Sequence, residues 1–189
     1  MRIRILFFFM ILPCFLFAQV PCEISTNISD SLGTFKSTKE YLIYERNFAG
    51  KSAFMHFSLE KVNGTPLLNV EFVQRSKSFI KANCLDKNSR IYLQLDNGKI
   101  VTLIYDGHDN CGTGVRDDKG NSNRIMQGHF LFMKDSYAEL LKSPVSVMRV
   151  RYATETVDYI FRPQFKAEFD GKIYEPQQYF MKTLPCIIN

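Results

Sequence analysis

The chain has 189 residues, of which 46% are apolar and 23% are charged, and its formal net charge at pH 7 is +5. These proportions are typical of one globular domain, and they exclude collagen, coiled coil and a disordered chain. Lysine and arginine are interspersed with aspartate and glutamate, without a block of like charge. The sequence therefore lacks the basic stripe that would favour a nucleic-acid partner.

Residues 1–18 are predicted to form a secretory signal peptide. Arg2 and Arg4 precede an apolar stretch over residues 5–17, and Ala18 provides a small side chain for cleavage. The stretch is shorter than the roughly 20 apolar residues that a membrane-spanning helix needs. We therefore expect an exported protein that is cleaved after Ala18 and keeps no transmembrane segment.

The mature chain, residues 19–189, is predicted to be one domain with two disulfides. Its four cysteines are Cys22, Cys84, Cys111 and Cys186. An even number of cysteines in an exported protein favours disulfides, here with three possible connectivities. No two of these cysteines have the Cys-x-x-Cys spacing of a zinc site, so we expect neither a metal nor another cofactor.

A predicted hairpin favours one of these connectivities. The Asn97-Gly98 dipeptide is typical of a two-residue type I′ turn, here between strands at residues 90–95 and 100–105. The same register, continued along both strands, places Cys84 opposite Cys111. That position is a hydrogen-bonded pair, which accepts a disulfide only with a bulge or a splayed end.

The remaining two cysteines pair by elimination. Cys22 is predicted to join Cys186, which ties the N-terminal end of the mature chain to its C-terminal end. Both disulfides are interpreted as structural bonds, because they constrain the unfolded chain across long loops.

Earlier hairpins are predicted from alternating apolar residues. The strands and turns are residues 40–45, Ala49-Gly50, 53–61, Asn63-Gly64 and 67–74. The Asn63-Gly64 turn pairs apolar side chains on one face, namely Leu59 with Leu68, Phe57 with Val70 and Met55 with Phe72. The other face is mostly polar and is predicted to be solvated, with Phe54, His56, Ser58, Glu60, Asn69, Glu71 and Val73. This alternation is typical of an antiparallel sheet with one buried face.

Two helices are predicted among the later strands. Ser136 and Glu139 have the spacing of a capping box for a short helix near residues 136–142. A C-terminal helix is predicted near residues 176–184, with Pro185 ending it. Other predictions are a loop over 106–123, a strand over 130–133 and a hairpin from 145–152 and 156–162. The expected fold class is α+β, predominantly an antiparallel β-sheet of hairpins.

Several segments resemble those of uncharacterised small exported bacterial proteins with a signal peptide and paired cysteines. These segments are the Phe17-Ala18-Gln19 junction, Cys22, residues 95–99, residues 140–145, residues 147–152 and Leu184-Pro185-Cys186. The resemblance spans most of the mature chain and implies a periplasmic or cell-surface location in a Gram-negative bacterium. It includes no catalytic motif and implies no activity.

A polar segment over residues 106–118 is the candidate binding loop. Its candidate residues are Asp106, His108, Asp109, Asp117 and Asp118. His108 and Asp109 have the side chains of a general base and its orienting partner, and the carboxylates are of the kind that bind calcium. However, the spacing matches no EF-hand, and Asp, Asn and Gly are also the ordinary residues of turns.

Tyrosines near the first and last hairpins suggest a second candidate surface. The candidate aromatic face consists of Tyr41, Tyr44, Tyr152 and Tyr159. Tyrosine combines an apolar ring with a hydroxyl and is therefore enriched at interfaces. Exposed and contiguous tyrosines at these positions would support a binding role.

The absence of a catalytic motif favours a non-enzymatic exported domain that binds a protein or glycan partner in the periplasm or at the cell surface. One alternative is a small hydrolase or redox enzyme that uses His108 and Asp109 of the 106–118 loop. Another is a structural envelope protein. A disulfide-bonded Cys111 favours the binding domain, whereas convergence of His108 and Asp109 with another histidine or carboxylate favours an enzyme.

Overall fold

The computed structural model describes residues 22–188, so the predicted signal peptide over residues 1–18 lies outside the described residues. Strand accounts for 54% of the structure and helix for 10%, which confirms a mostly antiparallel β-sheet with a C-terminal helix. The α+β assignment is correct only roughly, because the domain is mainly β.

The described residues contain thirteen strands and three short helices. The strands are β1 (Ile24–Asp30), β2 (Gly33–Thr38), β3 (Tyr41–Phe48), β4 (Lys51–Val62), β5 (Thr65–Ser76), β6 (Arg90–Leu95), β7 (Ile100–Tyr105), β8 (Thr113–Arg116), β9 (Ser122–Phe132), β10 (Val145–Arg151), β11 (Thr156–Ile160), β12 (Phe165–Lys166) and β13 (Ile173–Tyr174). The helices are α1 (Ser136–Leu140), α2 (Tyr179–Thr183) and α3 (Pro185–Ile188), and Pro176–Gln178 form a 3₁₀ turn.

Eleven strands form one sheet, in which nine follow the order β1-β2-β4-β5-β9-β7-β6-β10-β11, while β3 pairs with β4 and β8 pairs with β9. The long strands β4, β5 and β9 lie side by side near its middle. On the side away from β5, the C-terminal end of β4 pairs with β2 and the N-terminal end of β4 pairs with β3. In the same way, β9 pairs with β7 near its C-terminal end and with β8 near its N-terminal end. Because β4 and β9 are both antiparallel to β5, their N-terminal halves lie at the same end of the sheet.

The sheet curls until its two ends approach each other. The ring of Tyr44 on β3 lies 5.3 Å from that of Tyr159 on β11. The C-terminal segment fills the remaining gap. On one side, Gln177 donates a hydrogen bond to the carbonyl oxygen of Phe161, and on the other the Glu175 amide donates to the Tyr41 hydroxyl. Side chains on the inner face of the curled sheet form the core.

Phe57 on β4 lies at the centre of this core and is fully buried. The centroid of its ring lies 5.6 Å from that of Tyr179, 6.0 Å from that of Phe180 and 6.0 Å from that of Phe161. These aromatic partners come from the end of β11 and from α2. The C-terminal segment is thus part of the core as well as the closure of the sheet.

Two tight turns set the register of the central hairpins. Ala49 and Gly50 have φ values of +49° and +74°, and Asn63 and Gly64 have +48° and +85°. Positive φ at both central residues is the type I′ conformation, which matches the right-handed twist of the strands. The predicted pairing is confirmed for Leu59 with Leu68, Phe57 with Val70 and Met55 with Phe72.

The predicted two-residue turn at Asn97-Gly98 is wrong by one residue. Only Gly98 has a positive φ, +83°. The Leu95 amide donates to the Lys99 carbonyl at 2.9 Å, which encloses a three-residue loop. The Asn97 side chain accepts a hydrogen bond from the Lys99 amide and stabilises this longer loop. As a result, Leu93 faces Val101.

Both disulfides are present, as Cys22–Cys186 and Cys84–Cys111. The shifted hairpin register does not bring the second pair together. Instead, Leu85 and Asn110 exchange two backbone hydrogen bonds of 2.7 and 2.9 Å in an isolated bridge. The adjacent Cys84 and Cys111 are therefore a non-hydrogen-bonded pair, with their Cα atoms 4.0 Å apart. The hydrogen-bonded geometry that the sequence predicts is wrong.

Several strands have no counterpart in the predictions. The residues of β1 and β2 are mostly polar, and β12 and β13 have two residues each. The predicted loop over residues 106–123 contains β8, whose four residues are all exposed. β1 and β8 are edge strands of the large sheet, β2 lies between β1 and β4, and β12 and β13 pair with each other in a separate two-stranded sheet. Backbone pairing rather than a regular alternation of buried side chains stabilises these strands, so periodicity does not reveal them.

The predicted helix boundaries also need correction. Asp135 is the N-cap of α1 and makes no side-chain capping bond, so the capping box is wrong. The Glu139 carboxylate instead contacts the Lys99 ammonium at 2.8 Å. Pro185 ends α2 but also begins α3, because proline is well suited to the first turn of a helix.

The outer face of β4 and β5 is less solvated than predicted. Ser58, Glu60 and Asn69 are all buried there. The Asn69 amide donates a hydrogen bond to the Ser58 hydroxyl at 3.1 Å. A buried polar side chain needs such partners to offset its loss of hydration.

Candidate ligand-binding site

The inner face of the sheet changes from apolar to basic at one end. Opposed residues of paired strands point to the same face, so the apolar pair Met55 and Phe72 marks the core side. Two positions further towards this end, Ala53 opposes Gln74, which in turn opposes Arg124 on β9. The inner-face residues beyond the core are Arg46, Phe48, Lys51, Ala53, Gln74, Ser76, Ser122 and Arg124.

A cleft with a cavity volume of about 570 Å³ opens at this end, and we call it the basic cleft. The described residues that line it are Arg46, Phe48, Lys51, Ser52, Ala53, Gln74, Arg75, Ser76, Phe79, Ile80, Lys81, Asn83 and Glu155. Four of them are cationic, and Glu155 carries the single negative charge among them. The basic cleft therefore has a positive potential that attracts anions.

Two of the four cations are paired with carboxylates. Arg75 contacts Asp117 at 2.9 Å, and Lys81 contacts Glu155 at 3.1 Å. Within residues 22–188, neither Arg46 nor Lys51 forms an ion pair. These two charges are thus available to a ligand.

Exposed phenylalanines lie at the rim of the basic cleft. Phe48 is 70% exposed and Phe79 is 84% exposed. The guanidinium of Arg46 lies 6.0 Å from the centroid of the Phe48 ring. Large exposed apolar side chains beside a cavity are typical of binding surfaces, because burying them stabilises a complex.

A second basin lies on the other side of Phe79. It has a volume of about 230 Å³, and its described lining includes Phe79, Ile80, Arg116 and Arg124. Phe79 and Ile80 line both cavities, so they form a ridge between them, which we call the Phe79–Ile80 ridge. Cations are present on both sides of the ridge.

A small chamber adjoins the basic cleft, with Gln74 and Asn83 in the lining of both. Its volume is about 20 Å³, which is room for one oxygen-sized group. The hydroxyls of Tyr152 and Tyr159 lie 2.9 Å apart in its wall. Burial raises the pKa of Tyr159 to about 12 and that of Tyr152 well above its usual range, so both hydroxyls keep their protons at neutral pH.

Arg124 connects this chamber to the second basin. Its Nη1 donates a hydrogen bond of 2.7 Å to the Cys111 carbonyl. Its Nε is buried and has no hydrogen-bond partner among the described residues. A buried N–H without a partner is uncommon and is satisfied when a ligand or water provides an acceptor.

The candidate loop residues do not converge on a site. Asp106, His108, Asp109 and Asp118 are exposed. Asp117 instead closes the turn between β8 and β9, where its carboxylate accepts hydrogen bonds from Asn121. Hydrogen bonds from the Asn121 side chain and backbone hold the pKa of Asp117 down at about 2. Within residues 22–188, no three His, Cys, Asp or Glu side chains are placed to hold a metal ion.

The four candidate tyrosines pack inwards rather than forming an exposed face. Tyr152 is buried, and the other three are half-buried against the core. Tyr41 contacts Tyr179, whereas Tyr44, Tyr152 and Tyr159 are grouped near Phe72. These tyrosines therefore contribute to the core rather than to an exposed binding surface.

Comparison of the chain with protein-family models, with curated proteins and with solved structures gives no match. Among the residues that the structure describes, no helix has the length and apolar character to cross a membrane. The two disulfides are compatible with an exported protein. The functional argument therefore depends on the geometry of the basic cleft.

Proposed function

We propose that this protein is a non-enzymatic binding domain and that the basic cleft receives an anionic partner. The observation that carries the proposal is the cluster of cations around an open cavity with exposed Phe48 and Phe79 at its rim. A cleft lined by one sign of charge raises the local concentration of oppositely charged ligands and speeds their association. The aromatic rings add apolar contact area to this attraction.

The proposed compartment is the periplasm or the surface of a Gram-negative bacterium. The predicted signal peptide, the resemblance to small exported proteins and the two disulfides support it. Proteins and glycans with acidic groups both occur there, and either is an anionic partner of the required kind.

Binding of poly-glutamate to the purified exported protein tests the proposal. We expect saturable binding by calorimetry that weakens when the salt concentration rises from about 50 mM to about 500 mM, because salt screens charge pairs. The double variant Arg46→Gln with Lys51→Gln should lose most of this binding, since both cations are in the basic cleft without ion pairs.

A matched variant controls for net charge. Lys134 and Lys142 are exposed on either side of α1, outside the lining of the basic cleft. The double variant Lys134→Gln with Lys142→Gln removes the same charge and should keep the affinity. Equal losses in the two double variants, or no binding by the unmodified protein, would contradict the proposed function.

A further inference from the structure

The Phe79–Ile80 ridge points to a ligand with an apolar group between two acidic groups. The ridge, of which Phe79 is largely exposed and Ile80 is half-buried, separates the basic cleft, with Arg46 and Lys51, from the basin that contains Arg116 and Arg124. In an extended peptide, alternate side chains point the same way and lie about 7 Å apart. A peptide across the ridge can therefore place carboxylates on both sides and an apolar side chain on Phe79.

The free edge of Arg124 is suited to a carboxylate. Elsewhere in the molecule, Arg149 holds Asp158 with its Nε and Nη2, each at 2.7 Å from a carboxylate oxygen. In Arg124, Nη1 donates to the Cys111 carbonyl. Nε, which belongs to the edge of the guanidinium that Arg149 uses, has no partner among the described residues. This is the edge that forms bidentate pairs with carboxylates.

The adjoining chamber provides further donors. The Gln74 and Asn83 amides and the protonated hydroxyls of Tyr152 and Tyr159 line it together with Arg124. One of the two hydroxyls donates to the other, which leaves one hydroxyl proton for a ligand. An ionised carboxylate accepts hydrogen bonds and donates none, so it matches this set of groups. The chamber has room for one of the two carboxylate oxygens, while the rest of the ligand stays outside it.

The ridge favours a peptide over an acidic glycan. Phe48, Phe79 and Ile80 have no hydrogen-bonding group to offer to sugar hydroxyls. An apolar side chain of a peptide strengthens binding in proportion to the apolar area that it buries on such a surface. The exposed strand β8, next to the second basin, also pairs only with β9 among the described strands, so a peptide can add along its other edge.

We propose that the partner is an acidic peptide segment, with an apolar residue on the Phe79–Ile80 ridge, flanking acidic residues in the two basins and one carboxylate bound by Arg124. This inference rests on the proposed function, because it names the class of anion that the basic cleft receives.

The test compares three probes by fluorescence anisotropy or calorimetry. The first is a blocked peptide in which one leucine is flanked by two glutamates on each side, and the second has glycine in place of the leucine. The third is an oligogalacturonate of similar charge. We expect the leucine peptide to bind about tenfold more tightly than the glycine peptide, which corresponds to burial of one leucine side chain.

Variants assign this difference to the ridge and to the arginines. Phe79→Ala should abolish the preference for leucine, whereas Leu32→Ala, an equally exposed apolar change in the distant β1–β2 turn, should not. Arg124→Gln should weaken both peptides about tenfold or more, as loss of a bidentate pair does. If Arg124→Gln does not fold, Arg116→Gln tests the second basin instead, because it leaves the hydrogen bond to Cys111 intact. Arg149→Gln is the matched control outside both basins.

The outcomes separate the two proposals. Equal binding of the leucine and glycine peptides, or tighter binding of the oligogalacturonate, overturns the peptide inference but leaves an anion-binding cleft. Absence of binding by all three probes overturns both.

Discussion

The side chain of Arg124 and the backbone of Cys111 are joined by a hydrogen bond of 2.7 Å, donated by Nη1 to the carbonyl oxygen. Cys111 is in turn bonded to Cys84, whose carbonyl accepts a hydrogen bond from the Ala153 amide at 2.8 Å. The disulfide therefore anchors residues 77–84, which carry the ridge, beside Arg124. This covalent bond thus helps to maintain the shape of the candidate site.

We predict that removing this disulfide impairs binding. Replacing Cys84 and Cys111 with serine should lower the free energy of unfolding by about 3–4 kcal/mol in the chain-entropy model. It should also weaken poly-glutamate binding, because the ridge and Arg124 lose their common anchor. Calorimetry below the unfolding transition measures the affinity, and urea denaturation measures the stability.

The other disulfide is the matched control. Cys22 and Cys186 are separated by 164 residues, so their loss should cost more stability, about 5 kcal/mol in the same model. Neither cysteine lines the basic cleft, so the affinity of the folded protein should remain. An equal loss of affinity in both serine variants would show that the effect is one of general stability.

The same substitution at two phenylalanines should have very different effects on stability. Phe57→Ala leaves a cavity among Phe161, Tyr179 and Phe180, and should cost about 3–5 kcal/mol in the free energy of unfolding. Phe79→Ala changes an exposed side chain and should alter stability by no more than about 0.5 kcal/mol. Urea denaturation of both variants measures this difference. A large loss of stability in Phe79→Ala would show that the ridge is structural and would weaken its role as a binding surface.

The fold could be predicted where local signals agreed with the final sheet. The alternation of Met55, Phe57 and Leu59 and the Asn63-Gly64 turn correctly set the register of the longest hairpin. The turn at Asn97-Gly98 failed because a side-chain hydrogen bond to Lys99 favours the longer loop. Edge strands such as β1 were missed because their stability comes from backbone pairing, which leaves no side-chain period.

The candidate site could be predicted only in part from the sequence. Once the register is known, Lys51 and Gln74 have the same parity as the core residues of their strands, which already places polar groups on the inner face. The position of Arg124 depends on the pairing of β5 with β9, a contact between distant segments that a single sequence does not specify. The exposure of Phe79 likewise follows from the tertiary structure.

We predict a raised pKa for His129 that depends on Glu60. The Glu60 carboxylate lies 3.3 Å from Nε2 of His129, and this hydrogen bond raises the pKa of the histidine above its ordinary 6.5. Because the folded-state pKa is the higher one, the stabilisation is complete below about pH 6.5 and is lost as the pH rises through the folded-state pKa. Solvent screening keeps the effect on stability small, since the His129 side chain is 43% exposed.

An NMR titration of the His129 ring measures this shift. Glu60→Gln should lower the pKa of His129, whereas Glu71→Gln, beside His56, should leave it nearly unchanged. A pKa of His129 that is unaffected by Glu60→Gln would contradict the assignment of the hydrogen bond.

Asp117 is predicted to stabilise a turn rather than to bind calcium. Its carboxylate accepts hydrogen bonds from the amides of Lys119 and Asn121 and contacts Arg75 across the sheet. Asp117→Ala should therefore speed hydrogen exchange of the β8 amides, because β8 pairs only with β9 among the described strands. Asp118→Ala, at an exposed neighbouring position, is the control and should leave exchange unchanged.

Calcium and acid distinguish the two roles of Asp117. If the carboxylate acts in the turn, added calcium should not slow exchange in β8, and slowing by calcium would restore the metal-binding interpretation of the loop. Because hydrogen bonds lower the pKa of Asp117 to about 2, its contribution to stability is present above the unfolded-state pKa of about 3.8 and is lost as the pH falls through about 2. Exchange in β8 should accordingly become insensitive to Asp117→Ala only in strong acid.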